Sequence, residues 1–72
     1  MNEVIIQQLI DRGFRVSYRS TAVTLLAHPD LPGLEVRIGT VAVVAERDGI
    51  EVYRRPLASF SLNDLLARAS SR

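Results

Sequence analysis

The chain has 72 residues, 47% of them hydrophobic, and its nine basic and eight acidic residues leave a formal net charge of +1. This length indicates one domain over residues 1–72, and the small net charge does not by itself favour a nucleic-acid partner. Because the chain has no cysteine and one histidine, disulfides are excluded, the usual zinc ligand set is lacking, and we expect no metal and no cofactor.

The first predicted element is a helix over about residues 3–12. Asn2 can cap this helix, Glu3 lies in its first turn, and Gly13 can end it. Four apolar residues fall on one stripe of such a helix, so we expect them to face the core. They are Ile5, Ile6, Leu9 and Ile10.

Three predicted strands follow this helix. Residues 14–19 alternate apolar and polar side chains, which indicates a half-buried strand. A second apolar run covers residues 22–28, and the Pro- and Gly-containing residues 29–33 form the clearest loop in the chain. Residues 34–39 alternate again, with three aliphatic side chains on one face, and this pattern predicts the third strand.

Two further apolar-alternating runs lie within residues 41–55, joined by Asp48-Gly49, a pair typical of a two-residue type I′ hairpin turn. Such a turn pairs Arg47 with Ile50, and the same register sets Tyr53 opposite Val44. One face of this hairpin is then expected to meet the core and the other to meet solvent. The predicted core face carries Val41, Val43, Ala45, Ile50 and Val52, and the predicted solvent face carries Ala42, Val44, Glu46, Glu51, Tyr53 and Arg55.

The predicted turns at Gly49 and Gly39 each allow an alternative structure. A three-residue loop with a bulge at Gly49 would move Glu51 to the core face, where a buried carboxylate costs more than an exposed like-charge pair, so the two-residue loop is favoured. Gly39-Thr40 fits a type II′ turn that pairs Ile38 with Val41 and makes five strands. If Gly39 is instead a bulge within one long strand, the sheet has four strands.

The last predicted element is a helix that begins after Ser61. Ser61 can cap it, Asp64 completes a short capping box, and Phe60 can pack on Leu65 as a hydrophobic staple. Because both predicted helices carry one apolar stripe and the sheet carries one aliphatic face, we expect a two-layer α+β fold. It consists of an antiparallel β-meander of four or five strands, with an N-terminal and a C-terminal helix on one face.

No catalytic constellation stands out in the sequence. His28 with Asp30 could act as a general base and its orienting carboxylate, but no nucleophile or second positioned group accompanies them, so a structural role for His28 is favoured. The serines lack the glycines of a nucleophile elbow, and the chain has no Gly-rich phosphate loop. We therefore expect no catalytic residues, no enzymatic activity and no small-molecule substrate.

Part of the chain resembles a known toxin family. The residues are Leu9-Ile10-Asp11-Arg12-Gly13-Phe14, Val16 and Arg19 in the following strand, and the later His28-Pro29-Asp30. About half of the chain thus resembles the front half of HicA-type toxins, small RNA-cleaving proteins with a double-stranded-RNA-binding-domain-like fold. In that family the catalytic histidine follows a Gly-Ser pair in the first hairpin, where this chain has Ser20-Thr21-Ala22-Val23. The resemblance implies a shape and an affinity for RNA, without the catalytic histidine.

The predicted solvent face of the sheet is the candidate site. Ala42, Val44 and Tyr53 form a small apolar centre there, inside a polar rim that includes Arg37, Arg55 and three glutamates. Apolar centres with polar rims are typical of protein interfaces, in which Tyr and Arg are enriched. These five named residues are the predicted protein-binding residues.

The leading hypothesis is a non-enzymatic protein-binding module that acts as a homodimer, or as an inhibitor or regulator of a partner protein, by analogy with small phage or mobile-element proteins. No run approaches the about 20 apolar residues of a membrane helix, and no signal-peptide pattern follows Met1, so we expect a cytoplasmic protein without a membrane partner.

The alternative hypothesis is a nucleic-acid-binding protein of HicA-like shape. All nine basic residues are arginine, whose planar guanidinium suits phosphate contacts. The predicted phosphate-binding residues are Arg15, Arg19, Arg37, Arg54 and Arg55.

Overall fold

The computed structural model describes residues 2–70 and confirms the expected α+β fold. The strands pair in chain order and all neighbours are antiparallel, so the five-strand alternative is the correct one. No helix in this part of the chain is long and apolar enough to cross a membrane. The elements are α1 (Asn2–Asp11), β1 (Arg15–Arg19), β2 (Thr24–Ala27), β3 (Leu34–Ile38), β4 (Ala42–Arg47), β5 (Ile50–Pro56), a 3₁₀ turn (Leu57–Ser59) and α2 (Leu62–Ser70).

Helix α1 ends at a Schellman motif built on Gly13. Gly13 has φ 95°, a conformation that glycine adopts without strain, and its N–H donates to the Ile10 carbonyl at 2.9 Å. The N–H of Phe14 donates to the Leu9 carbonyl at 3.0 Å, and both side chains are buried. This motif turns the chain from the helix into β1. The prediction that Ile10 faces the core is wrong, since its side chain is 41% exposed.

Both helices pack on one face of the sheet and enclose a single core. The residues of α1 that enter it are Ile5, Ile6 and Leu9, and those of α2 are Leu65 and Ala69. The sheet contributes alternate residues of its strands, as expected for a sheet with one buried face. These are Leu26, Leu34, Val36, Ile38, Val43, Ala45 and Tyr53.

The turn at Asp48-Gly49 has the predicted two-residue form. Asp48 has φ 53° and Gly49 has φ 84°, the two positive values that a type I′ turn requires. Arg47 pairs with Ile50, as predicted, and Glu46 pairs with Glu51. The three-residue alternative is therefore wrong.

A β-bulge at Val52 changes the rest of the hairpin. Beyond it Ala45 pairs with Tyr53 and Val44 with Arg54, one residue away from the predicted register. Because side chains alternate between faces, a shift of one residue moves Tyr53 from the predicted solvent face to the core face. The predictions that Val41 and Ile50 face the core are also wrong, since they are 76% and 70% exposed.

The turn at Gly39 also differs from its prediction. Ile38 pairs with Val43, two residues beyond the predicted partner, and the N–H of Gly39 donates to the Ala42 carbonyl at 3.1 Å. Gly39 is not among the residues with positive φ, so the type II′ turn is wrong. A shift of two residues preserves the face of every side chain, and Val36 and Val43 are both buried as predicted.

The two remaining predictions concern the first strand and the last helix. All residues of β1 are exposed, so the expected half-buried strand is instead an exposed edge of the sheet, with a register irregularity at Ser17. The predicted Ser61 cap of α2 is confirmed, because the N–H of Asp64 donates to Ser61 Oγ at 3.3 Å. The prediction that Asp64 completes a capping box is wrong, because the Ser61 N–H donates to the Tyr53 hydroxyl oxygen at 3.1 Å.

Candidate functional site

The structure separates the five predicted protein-binding residues into two groups. Arg37, Ala42 and Val44 lie on the face of the sheet away from the helices, which we call the open face. Tyr53 and Arg55 lie on the helix side, so their predicted placement on the solvent face is wrong. The bulge at Val52 is the physical reason.

Tyr53 is a core residue that fastens α2 to the sheet. It is 1% exposed, and its hydroxyl oxygen accepts a hydrogen bond from the N–H of Ser61 at 3.1 Å. The ring of Phe60 meets it edge-on, with ring centroids 6.2 Å apart. The guanidinium of Arg55 lies 5.8 Å from the Tyr53 ring centroid and 3.9 Å from Asp64. These contacts leave Tyr53 unable to meet a partner.

A straight row of residues crosses all five strands on the open face. Tyr18 pairs with Leu25, Leu25 with Arg37, Arg37 with Val44, and Val44 with Arg54. Tyr18 is 54% exposed, and Leu25 and Val44 are half-buried on the face that the helices within residues 2–70 leave uncovered. We call Tyr18, Leu25, Arg37, Val44 and Arg54 the tyrosine row. It combines aliphatic side chains with aromatic and guanidinium groups, and the last two types are enriched at protein interfaces.

A second row lies beside it, one pleat further along the strands. Its members are also cross-strand partners, and three of them are adjacent glutamates. Like charges at adjacent cross-strand positions repel each other, so this row favours a partner that supplies positive charge. We call Arg15, Ala27, Glu35, Glu46 and Glu51 the glutamate row.

Bulges on both edge strands place the ends of these rows on the same face. Arg15 and Tyr18 are three residues apart on β1, and Glu51 and Arg54 are three apart on β5. An odd separation in a regular strand would put each pair on opposite faces, and the extra residue of each bulge brings them together.

Glu51 and Arg54 use this arrangement to form an ion pair. Arg54 Nε and Nη2 donate to the Glu51 carboxylate at 2.9 to 3.2 Å. The hydrogen bonds from Arg54 lower the pKa of Glu51, and the same contacts with Glu51 raise the pKa of Arg54. Both side chains are therefore charged over a wide pH range.

The predicted phosphate-binding arginines do not share one surface. Arg15, Arg37 and Arg54 lie on the open face, while Arg19 and Arg55 lie on the helix side. Arg19 pairs with Glu3 of α1 and Arg55 with Asp64 of α2. With Arg54 bound to Glu51, three of the five guanidinium groups already have a carboxylate partner.

His28 holds two turns together. Its Nδ1 accepts a hydrogen bond from the Asp30 N–H at 3.0 Å, which leaves the proton on Nε2 to be donated to the Arg12 carbonyl at 2.9 Å. The ring also meets Phe14 edge-on, with centroids 4.9 Å apart. Asp30 thus contacts His28 through its backbone N–H, and both ring nitrogens serve the fold.

Two clefts lie on the helix side of the molecule. One, of about 510 Å³, lies between α1 and the β1–β2 turn, and its charged groups, Glu3 and Arg19, bind each other. The other, of about 380 Å³, is mainly apolar and lies between α1 and the 3₁₀ turn. Within residues 2–70, no group of three or more His, Cys, Asp or Glu side chains is placed to hold a metal ion.

Sequence reasoning missed Tyr18 and Leu25 as members of the candidate site. The alternation of residues 14–19 predicts Tyr18 on the same side as Phe14 and Val16, because the bulge at Ser17 is not visible in this pattern. Leu25 lies in a run that is apolar on both faces, and this was the signal that the second face of the sheet carries apolar residues.

The chain was compared with protein-family models, curated proteins and solved structures, and none of these comparisons returned a match.

Proposed function

We propose that this protein is a non-enzymatic protein-binding module whose binding surface is the open face of the sheet. The observation that carries the proposal is the tyrosine row, in which Tyr18 is exposed, Leu25 and Val44 are half-buried, and Arg37 and Arg54 lie on the strands beside them. When a partner covers apolar side chains that are flanked by arginines, the burial makes the free energy of binding more favourable. A homodimer, or an inhibitor or regulator of another protein, would use such a surface in the same way.

The charge of the open face supports a protein partner over a phosphate backbone. The two rows together hold three arginines and three glutamates, Arg15, Arg37 and Arg54 against Glu35, Glu46 and Glu51. A nucleic acid would meet the glutamates as well as the arginines, and the carboxylates would repel its phosphates. A protein surface can supply both signs of charge.

The sheet edges are poor alternatives to the open face. Both edge strands contain a bulge, at Ser17 in β1 and at Val52 in β5, and bulges disfavour the addition of a further strand. Two β1 strands pairing antiparallel about Ser17 would also set Arg15 against Arg19. Association through the face avoids these obstacles.

The nucleic-acid alternative stays a prediction with less support, since its five arginines are divided between two faces and three have carboxylate partners. The resemblance to HicA-type toxins, the cytoplasmic location and the phage or mobile-element origin likewise stay predictions. A gel-shift series with RNA and DNA at increasing salt tests the alternative, because phosphate contacts impose a steep salt dependence.

The experiment for the proposed function compares Val44→Asp with Val41→Asp. Val44 belongs to the tyrosine row, while Val41 lies in the exposed β3–β4 turn, so the second variant is a matched control for the same substitution. Wild type and both variants are used as baits with a lysate of the host cell, and captured proteins are then purified and titrated against each bait. Self-association of each bait is measured in parallel.

The expected result is association that wild type and Val41→Asp share and that Val44→Asp loses, since a buried unpaired aspartate opposes binding. Circular dichroism confirms that each bait is folded. If neither a purified partner nor a second copy binds in a Val44-dependent way, the proposal is wrong.

A further inference from the structure

Resting on the proposed function, we infer that the partner of the open face is a second copy of this chain. The two copies are related by a twofold axis that runs across the strands, between the tyrosine row and the glutamate row. The inference rests on the complementarity of the two rows under this rotation.

Rotation by 180° about such an axis lays one open face on the other and exchanges the rows strand by strand. Each residue of the tyrosine row then faces the residue of the glutamate row on the same strand of the second copy. The strand axes of the two sheets are then nearly aligned, and this aligned packing is one of the two common ways for sheets to pack face to face. The interface uses the same patch twice, as a twofold dimer requires.

The charged residues of the two rows match under this operation. On β3, Arg37 faces Glu35 of the second copy, and on β5, Arg54 faces Glu51 of the second copy. On β4, Glu46 faces Val44 of the second copy and lies diagonally between the Arg37 and Arg54 positions of that copy. Each of these contacts occurs twice, so the glutamates that repel one another within one chain are all placed beside arginines of the other.

The facing residues on β1 and β2 match as well. On β1, Tyr18 faces Arg15 of the second copy, a cation–π arrangement. On β2, Leu25 faces Ala27 of the second copy, so apolar groups cover each other. This aliphatic contact on β2 lies between the Tyr18–Arg15 contact on β1 and the Arg37–Glu35 charge pair on β3.

The other simple twofold arrangement lacks this match. An axis running along β3 would set Arg37 on Arg37 of the second copy and Glu35 on Glu35 of the second copy. These like-charge contacts oppose association. The charge pattern thus selects the axis across the strands.

The dimer is expected to be weak and reversible. From the usual spacings of strands and residues, the two rows cover an area on the order of 400 Å² per copy. This is about half of what a standard interface buries on each partner, about 800 Å². Added salt is expected to weaken the dimer further, because its charge pairs lie near solvent.

The test is a charge-reversal series measured by sedimentation equilibrium, at protein concentrations from about 10 µM to about 1 mM to cover a weak interface. Arg37→Glu sets glutamate against Glu35 of the second copy, and Glu35→Arg sets arginine against Arg37 of the second copy. Each single variant is expected to weaken self-association at least about tenfold. The double variant, Arg37→Glu with Glu35→Arg, restores opposite charges and is expected to recover to within about threefold of wild type.

Mixing the two single variants gives the sharpest result. One carries glutamate at both β3 positions and the other carries arginine at both, so each repels itself and attracts the other. An equimolar mixture is expected to form heterodimers while each variant alone stays monomeric. Val41→Asp, outside the two rows, is expected to associate like wild type. Circular dichroism confirms that every variant is folded.

The outcomes separate this inference from the proposed function. The inference that the partner is a second copy is wrong if wild type is monomeric across the whole concentration range. It is also wrong if the double variant or the mixture does not recover association. If a different purified protein then binds wild type but not Val44→Asp, the open face remains a protein-binding surface with another partner. If no protein binds it, both proposals are wrong.

Discussion

The hydroxyl of Tyr53 and the backbone N–H of Ser61 are joined by a hydrogen bond of 3.1 Å between the middle of β5 and the residue that caps α2. The bond ties the start of the last helix to the sheet, and Arg47 ties its end, because Arg47 Nη1 donates to the Ala69 carbonyl at 2.6 Å. Both contacts depend on side chains that the β4–β5 register places on the helix side. Of the two contacts, the one from Tyr53 depends on the bulge at Val52, while Arg47 lies on the turn side of the bulge.

Removing the Tyr53 hydroxyl should destabilise the fold without emptying the core. Tyr53→Phe keeps the buried ring but leaves the Ser61 N–H without its partner, so we expect a loss of about 1 kcal/mol in the free energy of unfolding. Tyr18→Phe, at an exposed position, is the control and should change stability by less than about 0.5 kcal/mol. Urea denaturation measures both, and equal losses would contradict the assignment of Tyr53 to the core.

The two hairpin glycines should respond differently to the same substitution. Gly49 has φ 84°, so Gly49→Val should cost about 1 to 3 kcal/mol of stability, because a β-branched residue is strained there. Gly39 lacks a positive φ, and an added Cβ would lie 3.8 Å from the Ala42 carbonyl oxygen, an ordinary contact distance. Gly39→Val should therefore be the milder change in thermal or urea unfolding, and the reverse order would mean that the turns are misassigned.

Neighbouring valines of β4 test which face is buried. Val43 is fully buried, and Val43→Ala should lower the free energy of unfolding by about 2 kcal/mol through lost methyl groups and the cavity that remains. Val44 is half-buried on the open face, so Val44→Ala should cost less than half as much, measured below the concentration at which the protein associates. Similar losses at the two sites would show that both faces of the sheet are covered in the monomer.

The Glu51–Arg54 pair predicts a specific pH dependence. The pKa of Glu51 is lowered in the folded protein by hydrogen bonds from Arg54, so its contribution to stability is complete above the ordinary carboxyl pKa of 4.5. That contribution disappears as the pH falls through the lowered value, because the unfolded chain then binds the proton more readily. Glu51→Gln should remove this part of the acid destabilisation, seen by urea unfolding between pH 7 and pH 3, and should leave the slope near pH 7 unchanged.

The sequence predicted the parts of the fold that local chemistry determines. Asp48-Gly49 specifies a turn through its backbone preferences, and Ser61 with Asp64 specifies a helix start, so both were located correctly. The bulges at Ser17 and Val52 could not be derived the same way, because they follow from how whole strands fit a twisted sheet. The sequence does carry a local sign of the Val52 bulge, because Val52-Tyr53 and then Arg54-Arg55 interrupt the strict alternation of apolar and polar side chains.

The same two bulges explain how much of the candidate site was predicted. Arg37, Ala42 and Val44 lie on β3 and β4, which pair without a bulge, and their predicted placement on the solvent face is correct. Tyr53 and Arg55 follow the Val52 bulge and were placed on the wrong side, while Tyr18 follows the Ser17 bulge and was missed. A one-residue shift reverses every side chain beyond it, so Tyr53 and Arg55 were misplaced while Glu51, on the turn side of the same bulge, was placed on the correct face.

The order of the strands has a consequence for how the chain folds. Every strand pairs with its neighbour in sequence, so each step of sheet formation closes only a short loop and costs little chain entropy. The longest-range contacts belong to the helices, such as the hydrogen bond from Asn2 Nδ2 to the Gly39 carbonyl and that from Arg12 to Asn63, 51 residues away. Hairpins can therefore form and lengthen before the two ends of the chain dock, which gives this small β-rich protein a route to rapid folding that sheets built from distant strands lack.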